Sequence, residues 1–122
     1  MFFIDKSGGI HISRGDSVTL ATEIYIDDEL ADLSDNDFCI VFTVRSKESG
    51  NVKIKRLITA DNYDSGELIF NLSTEETLLT PAKYEYSFLY LPERTMPAEA
   101  YTYAQGDFEI MHSVSTYKDL EV

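Results

Sequence analysis

The chain has 122 residues, 43% of them hydrophobic and 12% aromatic, which predicts one globular domain over residues 1–122 with a core of its own. Its formal net charge of −12 argues against nucleic acid as a partner, because phosphate binding needs basic residues, and it disfavours an anionic membrane surface. The one cysteine, Cys39, cannot form an internal disulfide, and its apolar neighbours favour a buried, unreactive thiol.

The start of the chain is apolar but short, without the basic lead of a signal peptide, and no stretch reaches the length of a membrane span. We therefore expect a protein made in the cytoplasm that has no membrane partner.

Alternating apolar residues predict the first strands. Residues 9–13 form a short strand, and residues 17–26 form a longer one after a turn. That turn, Arg14-Gly15-Asp16, also spells the tripeptide that integrins recognise, but Gly and Asp are the residues that a tight turn needs, so we prefer the turn. The positions expected to face inward on the longer strand are Val18, Leu20, Ile24 and Ile26.

Residues 38–45 are apolar on both faces, which predicts a central strand. Residues 52–59 return as its hairpin partner, after a turn in which Gly50 permits a positive φ. Arg56 interrupts the inward face of the returning strand, which indicates a bulge or a sheet edge. The inward positions expected here are Phe38, Ile40, Phe42, Val44, Val52, Ile54 and Ile58.

An acidic connection over residues 27–37 lies between these strand pairs and is expected to be exposed, with Ala31 and Leu33 holding it to the body. Its carboxylates could hold calcium, but their spacing, like that of residues 61–66, departs from the pattern of a calcium loop. A solvated face is therefore favoured, and calcium binding stays open. The carboxylates are Asp27, Asp28, Glu29, Asp32, Asp35 and Asp37.

The second half of the chain begins with a predicted strand over residues 67–72, with Leu68, Phe70 and Leu72 inward. Ser73 and Glu76 have the spacing of a capping box, and only one helical turn fits before Pro81.

A tyrosine-bearing strand follows over residues 82–91. The last strand or strand pair covers residues 100–103 and 107–114 and is expected to break at Gly106. Its expected inward positions are Phe108, Ile110 and Val114.

Residues 77–88 are predicted to carry the chain from one sheet to the other. In immunoglobulin-like sandwiches, a tyrosine near the start of the receiving strand bonds backward to the backbone and closes a tyrosine corner. We assign Tyr84 as the corner residue, with Leu78 before the turn and Tyr86 two positions after Tyr84. With a single cysteine in the chain, an aromatic core must replace any disulfide between the sheets.

No constellation of residues predicts catalysis or a cofactor. His11 and His112 fall on the first and last strands, which often neighbour each other, but together with Cys39 they lack the ligand number and spacing of a zinc site. No serine or cysteine nucleophile has a matching base, and no two carboxylates stand out as a glycosidase pair. We expect a protein that is not an enzyme.

Half of the basic residues lie on the predicted hairpin of residues 38–59, and this asymmetry allows two interpretations. Oppositely charged patches would suit head-to-tail association in a homo-oligomer. A lysine-protected edge strand would instead prevent association, and this interpretation is slightly preferred. The residues are Arg45, Lys47, Lys53, Lys55 and Arg56.

About seven strands, frequent turn signals and no long helix predict an all-β protein, an immunoglobulin-like antiparallel β-sandwich. The order and spacing of five segments resemble the N-terminal domain family of phage baseplate upper proteins and related tail proteins of phages of Gram-positive hosts. These segments are residues 12–17 (ISRGDS), 41–44 (VFTV), 67–72 (ELIFNL), 77–86 (TLLTPAKYEY) and 106–110 (GDFEI).

The resemblance implies an immunoglobulin-like building block of a virion tail or baseplate, made in the host cytoplasm, that binds other tail proteins and carries no catalytic residues. The alternative is a carbohydrate- or cell-surface-binding module on the same sandwich. That module would need exposed aromatic residues on one face, for which the candidates are Tyr25, Tyr63, Tyr101 and Tyr103.

Overall fold

The computed structural model describes residues 1–33, 37–64, 67–95 and 97–121, and consists mainly of strands and turns. The helices in these ranges are two short 3-10 helices, Ala60–Asn62 and Tyr117–Glu121, and neither has the length and apolar character needed to cross a membrane. The strands in chain order are β1 (Phe2–Ile4), β2 (Ile10–Ser13), β3 (Val18–Thr22), β4 (Tyr25–Ile26), β5 (Glu29–Leu30), β6 (Cys39–Ser46), β7 (Val52–Ile58), β8 (Tyr63–Asp64), β9 (Glu67–Leu72), β10 (Ala82–Leu91) and β11 (Tyr101–Met111).

The described strands form two main sheets. Six make one sheet in the order β1-β2-β11-β10-β6-β7, three make a second in the order β3-β9-β8, and β4 and β5 form a separate hairpin. Inward side chains of both sheets share one core, in which the rings of Phe42 and Phe70 lie 5.2 Å apart. The predicted all-β sandwich class is confirmed. The expected inward residues that are buried are Val18, Leu20, Ile24, Phe38, Ile40, Phe42, Val44, Ile54, Ile58, Leu68, Phe70, Leu72, Phe108 and Ile110.

The six-stranded sheet is mixed, although the sequence predicts antiparallel pairing. β2 runs parallel to β11, with Ile10 opposite Phe108 and Ile12 opposite Ile110. All four of these side chains are buried, so this pairing adds two apolar cross-strand pairs to the core. β1 then pairs antiparallel with β2 and forms one edge of the sheet, while β7 forms the other edge.

Two expectations about the last strand are wrong. β11 runs unbroken through Gly106, which pairs with Tyr86 of β10. A Cβ atom on Gly106 would lie 3.2 Å from Cε1 of Tyr86, so this glycine leaves room for the tyrosine ring and does not end the strand. The Tyr86 hydroxyl donates to the carbonyl oxygen of Gly8 at 2.6 Å, across β11. Val114 lies beyond the end of β11 and is exposed.

Val52 was expected to face inward and is exposed instead. The register of β6 and β7 shifts by one residue, because Val44 pairs with Ile54 whereas Arg45 pairs with Val52. A one-residue bulge turns the following side chains to the opposite face, so Val52 joins the outward-facing Arg45. The bulge therefore lies between Val52 and Ile54, while Arg56 stays in register opposite Phe42. The other interpretation of Arg56, a sheet edge, agrees with the position of β7.

The acidic connection begins with a β-hairpin, although the sequence predicts an exposed connection there. β4 and β5 are joined by Asp27 and Asp28, both at positive φ (51° and 65°). Ala31 and Leu33 are half-buried against the core, as expected, while Asp35 lies outside the described residues, as do residues 65 and 66 of the second acidic loop.

The crossing between the sheets is held by hydrogen bonds from its own side chains. Ser73 and Glu76 form the reciprocal bonds of a capping box, at 2.9 and 3.1 Å. Thr77 is fully buried, and its hydroxyl donates to the carbonyl of Asp16, in the turn before β3. The Tyr84 hydroxyl donates backward to the carbonyl of Thr80 at 2.6 Å, which is the bond of a tyrosine corner.

Replacing Tyr84 with Phe should therefore lower the free energy of unfolding by about 0.5–1.5 kcal/mol, because the partly buried hydrogen bond from the Tyr84 hydroxyl to the Thr80 carbonyl is lost. Urea denaturation followed by circular dichroism measures this difference. Tyr25→Phe is the matched control, since Tyr25 is about half exposed and should change stability by less than about 0.5 kcal/mol. Equal stability of Tyr84→Phe and the native protein would contradict a stabilising corner.

Candidate protein-interaction surface

The unequal widths of the two sheets leave the β1 end of the larger sheet uncovered. The side chains of Phe2, Phe3 and Ile4 are 40%, 44% and 57% exposed, although all three are large and apolar. Their strand neighbours Ile10 and Ile12 are buried, so the covered core ends at β2. We call the residues of β1 and their unpaired backbone groups the β1 edge. It is the candidate site for a partner.

The backbone of β1 pairs on one side only. Met1 accepts from the N–H of Ser13, and Asp5 donates to the carbonyl of Gly9, at 2.8 and 2.9 Å. In an antiparallel ladder the residues alternate in direction, so Phe2 and Ile4 point their N–H and C=O groups away from β2. This open edge is a template for a further strand.

The side chains of β1 divide between the faces of the sheet. Phe2 lies opposite Ile12 and Ile4 opposite Ile10, which places both on the core-facing side. Phe3 lies opposite His11 on the outer face, and the two rings stack with centroids 4.4 Å apart and planes 9° apart.

His11 is held between two carboxylates. Its Nε2 lies 2.7 Å from Oδ2 of Asp5, in the β1–β2 turn, and its Nδ1 lies 2.7 Å from Oε1 of Glu109 on β11. Hydrogen bonds to Asp5 and then to Glu109 raise the pKa of His11 above its usual 6.5. The bond from His11, followed by backbone bonds from Gly9 and Ser7, lowers the pKa of Asp5. This cluster ties β1 to the sheet.

Three of the five basic residues proposed as an interface make bonds within the chain. Arg45 donates to the carbonyl of Gly50, and Lys47 pairs with Asp107 at 2.6 Å. Arg56 pairs with Glu76 at 3.0 Å and also donates to the carbonyl of Asn71, which joins the edge strand β7 to the second sheet. The remaining two, Lys53 and Lys55, are exposed on β7.

The four tyrosines considered for carbohydrate binding are not equivalent. Tyr103 is partly buried, and burial raises its pKa to about 12 while its hydroxyl bonds to Thr22. Tyr25, Tyr63 and Tyr101 are exposed. Among them, only Tyr63 lines the shallow cavity of about 340 Å³ that Leu30 and Leu33 also line.

The candidate metal residues do not converge. Cys39 is buried, and desolvation raises the pKa of its thiol. His112 is exposed beyond the end of β11, while His11 bonds to the two carboxylates. Within the ranges that the structure describes, no three His, Cys, Asp or Glu side chains come together as a metal site.

Strand β1 was not among the strands predicted from the sequence, nor were its contacts predicted. An apolar trio, Phe2 to Ile4, ahead of a glycine pair was the available signal, because it resembles one arm of a hairpin. Comparison with protein-family models gives no match, and comparison with curated proteins gives none either.

The His11 cluster should make stability depend on pH. Because the folded-state pKa of His11 is raised above 6.5, its contribution is fully present below that value and is lost as the pH rises through the folded pKa. The pKa of Asp5 is lowered from 3.8, so its contribution is present above that value and is lost as the pH falls below it. His11→Gln should therefore destabilise the protein more at about pH 5.5 than at about pH 8.5.

Urea denaturation of the native protein and of His11→Gln at both pH values tests this expectation. His112→Gln is the control, because His112 is exposed, and its effect should be small at both. A His11→Gln effect that does not change with pH would contradict the cluster's electrostatic role.

Proposed function

We propose that this chain is a non-enzymatic structural protein of a phage or prophage virion, a tail or baseplate module that acts through contacts with other tail proteins. The observation that carries the proposal is the β1 edge, where three exposed apolar side chains accompany unpaired backbone groups. Such an edge gains both hydrogen bonds and apolar burial when a partner strand docks on it. The all-β architecture is compatible with the sandwich that the resemblance to baseplate upper proteins implies.

The arrangement of the best acid–base cluster supports a structural role over a catalytic one. Both ring nitrogens of His11 are engaged by carboxylates, so neither is free to take a proton from a substrate. Asp5 also holds the β1–β2 turn, since its other carboxylate oxygen accepts from the N–H groups of Ser7 and Gly9. The cluster supports the edge strand.

A second candidate function, carbohydrate or cell-surface binding, is favoured by a different observation. Tyr63 is about half exposed beside Leu30, and both line the cavity of about 340 Å³ with Glu23 and Asp32. An aromatic ring can stack on a sugar, and carboxylates beside it can accept hydrogen bonds from the sugar hydroxyls. The cavity is shallow, and for that reason we rank this function second.

Purified phage particles should contain the chain in their tails, as detected by mass spectrometry of tail fractions. Ile4→Lys should reduce its incorporation by about tenfold or more, because docking would bury a charge in place of an apolar side chain. Leu57→Lys is the matched control: Leu57 is similarly exposed, on the opposite edge strand, and should be incorporated normally.

Absence of the native chain from tail fractions would contradict the virion role. Glycan-array binding that is lost in Tyr63→Ala, together with that absence, would establish the second candidate instead.

A further inference from the structure

We propose that a second copy of this chain occupies the β1 edge, paired antiparallel across a two-fold axis so that the two six-stranded sheets become continuous. This deepens the proposed function, on which it rests, by naming the partner of the same surface. Three features of the β1 edge support this pairing: the backbone register, the side chains that meet in that register, and the charge around the edge.

The backbone of β1 is self-complementary in one register. Phe2 and Ile4 direct their N–H and C=O groups outward, as the bonds of Met1 and Asp5 to the β2 side require. If Phe3 lies opposite Phe3 of the second copy, then Phe2 of each copy lies opposite Ile4 of the other. Each of these pairs can exchange two N–H···O bonds, so every outward group of Phe2 and Ile4 finds a partner.

The side chains match in the same register. Phe2 and Ile4 of both copies lie on the core-facing side of the large sheet. There, Phe2 of each copy would pack against Ile4 of the other and cover side chains that are exposed in the single chain. The two Phe3 rings meet on the outer face at a pair without hydrogen bonds, the closer kind of cross-strand pair. All three exposed apolar residues of β1 thus lose contact with water together.

The distribution of charge favours this edge for self-association. A net charge of −12 makes two copies repel each other, so contact is easier where negative charge is partly offset. At the β1 edge, Asp5 and Glu109 both bond to His11, whose protonated ring offsets one of their two charges. The opposite edge, β7, exposes Lys53 and Lys55, which block strand pairing there. Added salt should therefore strengthen the dimer by screening the repulsion.

The interface is small, so we expect a weak dimer in solution, with a dissociation constant of roughly 10⁻⁴ M. Within a virion, where copies are held near one another, the same contact is strengthened by a higher effective concentration. Sedimentation velocity of the full chain up to about 1 mM, at low and at moderate salt, measures the association.

Ile4→Pro is the sharpest variant. The Ile4 N–H points away from β2, so proline removes a donor of the proposed dimer and leaves the bonds between β1 and β2 in place. Two of the intermolecular bonds disappear by symmetry, and dimer affinity should fall by about tenfold or more. Circular dichroism and thermal melting establish that the variant is folded.

Phe3→Cys tests the register. Cα atoms of a cross-strand pair without hydrogen bonds lie about 4.5 Å apart, within the range that a disulfide spans. Mild oxidation should link two copies of Phe3→Cys but not of Leu57→Cys, the exposed control on β7. The native Cys39 is buried and present in both variants.

Concentration-dependent dimerisation that is weakened in Ile4→Pro, with selective cross-linking of Phe3→Cys, supports the proposal. A monomer at about 1 mM, or a dimer of undiminished affinity in folded Ile4→Pro, would overturn it. These outcomes are separate from those for the proposed function. If the protein is monomeric in solution but Ile4→Lys still lowers its incorporation into tails, the β1 edge binds a strand of another tail protein.

Discussion

The aromatic cluster around Phe42 is the contact on which the rest of the structure depends. Phe42 is fully buried, and its ring contacts Phe70 of the second sheet as well as Tyr86, Phe88 and Phe108 of its own sheet, with centroid distances of 4.8 to 6.3 Å. The chain cannot form a disulfide between its sheets, so van der Waals contact and apolar burial must hold them together. The cluster lies near the middle of the larger sheet, on β6, β10 and β11, with the smaller sheet packed over it.

A centrally placed core and sheets of unequal width explain why the two edges of the large sheet differ. On the β7 side, Arg56 extends to Glu76 and to the Asn71 carbonyl, so the edge strand is tied to the smaller sheet and is also protected by lysines. On the β1 side the corresponding tie is Tyr86, whose hydroxyl holds the β1–β2 turn at Gly8 from within the large sheet. No strand of the described second sheet covers Phe2. One edge is thus closed and the other is open.

Sequence reasoning was successful where the determinants are local. Spacings of a few residues are enough to predict the bounds of β9 and β10. They also predict the capping box of Ser73 and Glu76 and the position of Tyr84. The parallel pairing of β2 with β11 does not, because nothing local in either segment encodes its partner. Gly106 was misread for a related reason: its role depends on a ring from a neighbouring strand. The candidate site is the least predictable part, since His11 meets Glu109 only after the sheet has formed.

The parallel pair also sets an order of events during folding. The β6–β7 and β10–β11 pairs are neighbours in sequence and can close early, whereas β2 must wait for β11, and His11 and Glu109 lie 98 positions apart. During synthesis the N-terminal strands leave the ribosome first and have no place to dock until nearly the whole chain has followed. β1 and β2 are neighbours in the chain and can pair with each other early, but their hairpin joins the large sheet only when β11 is in place. We therefore expect the β1 edge to extend the large sheet only in the complete domain.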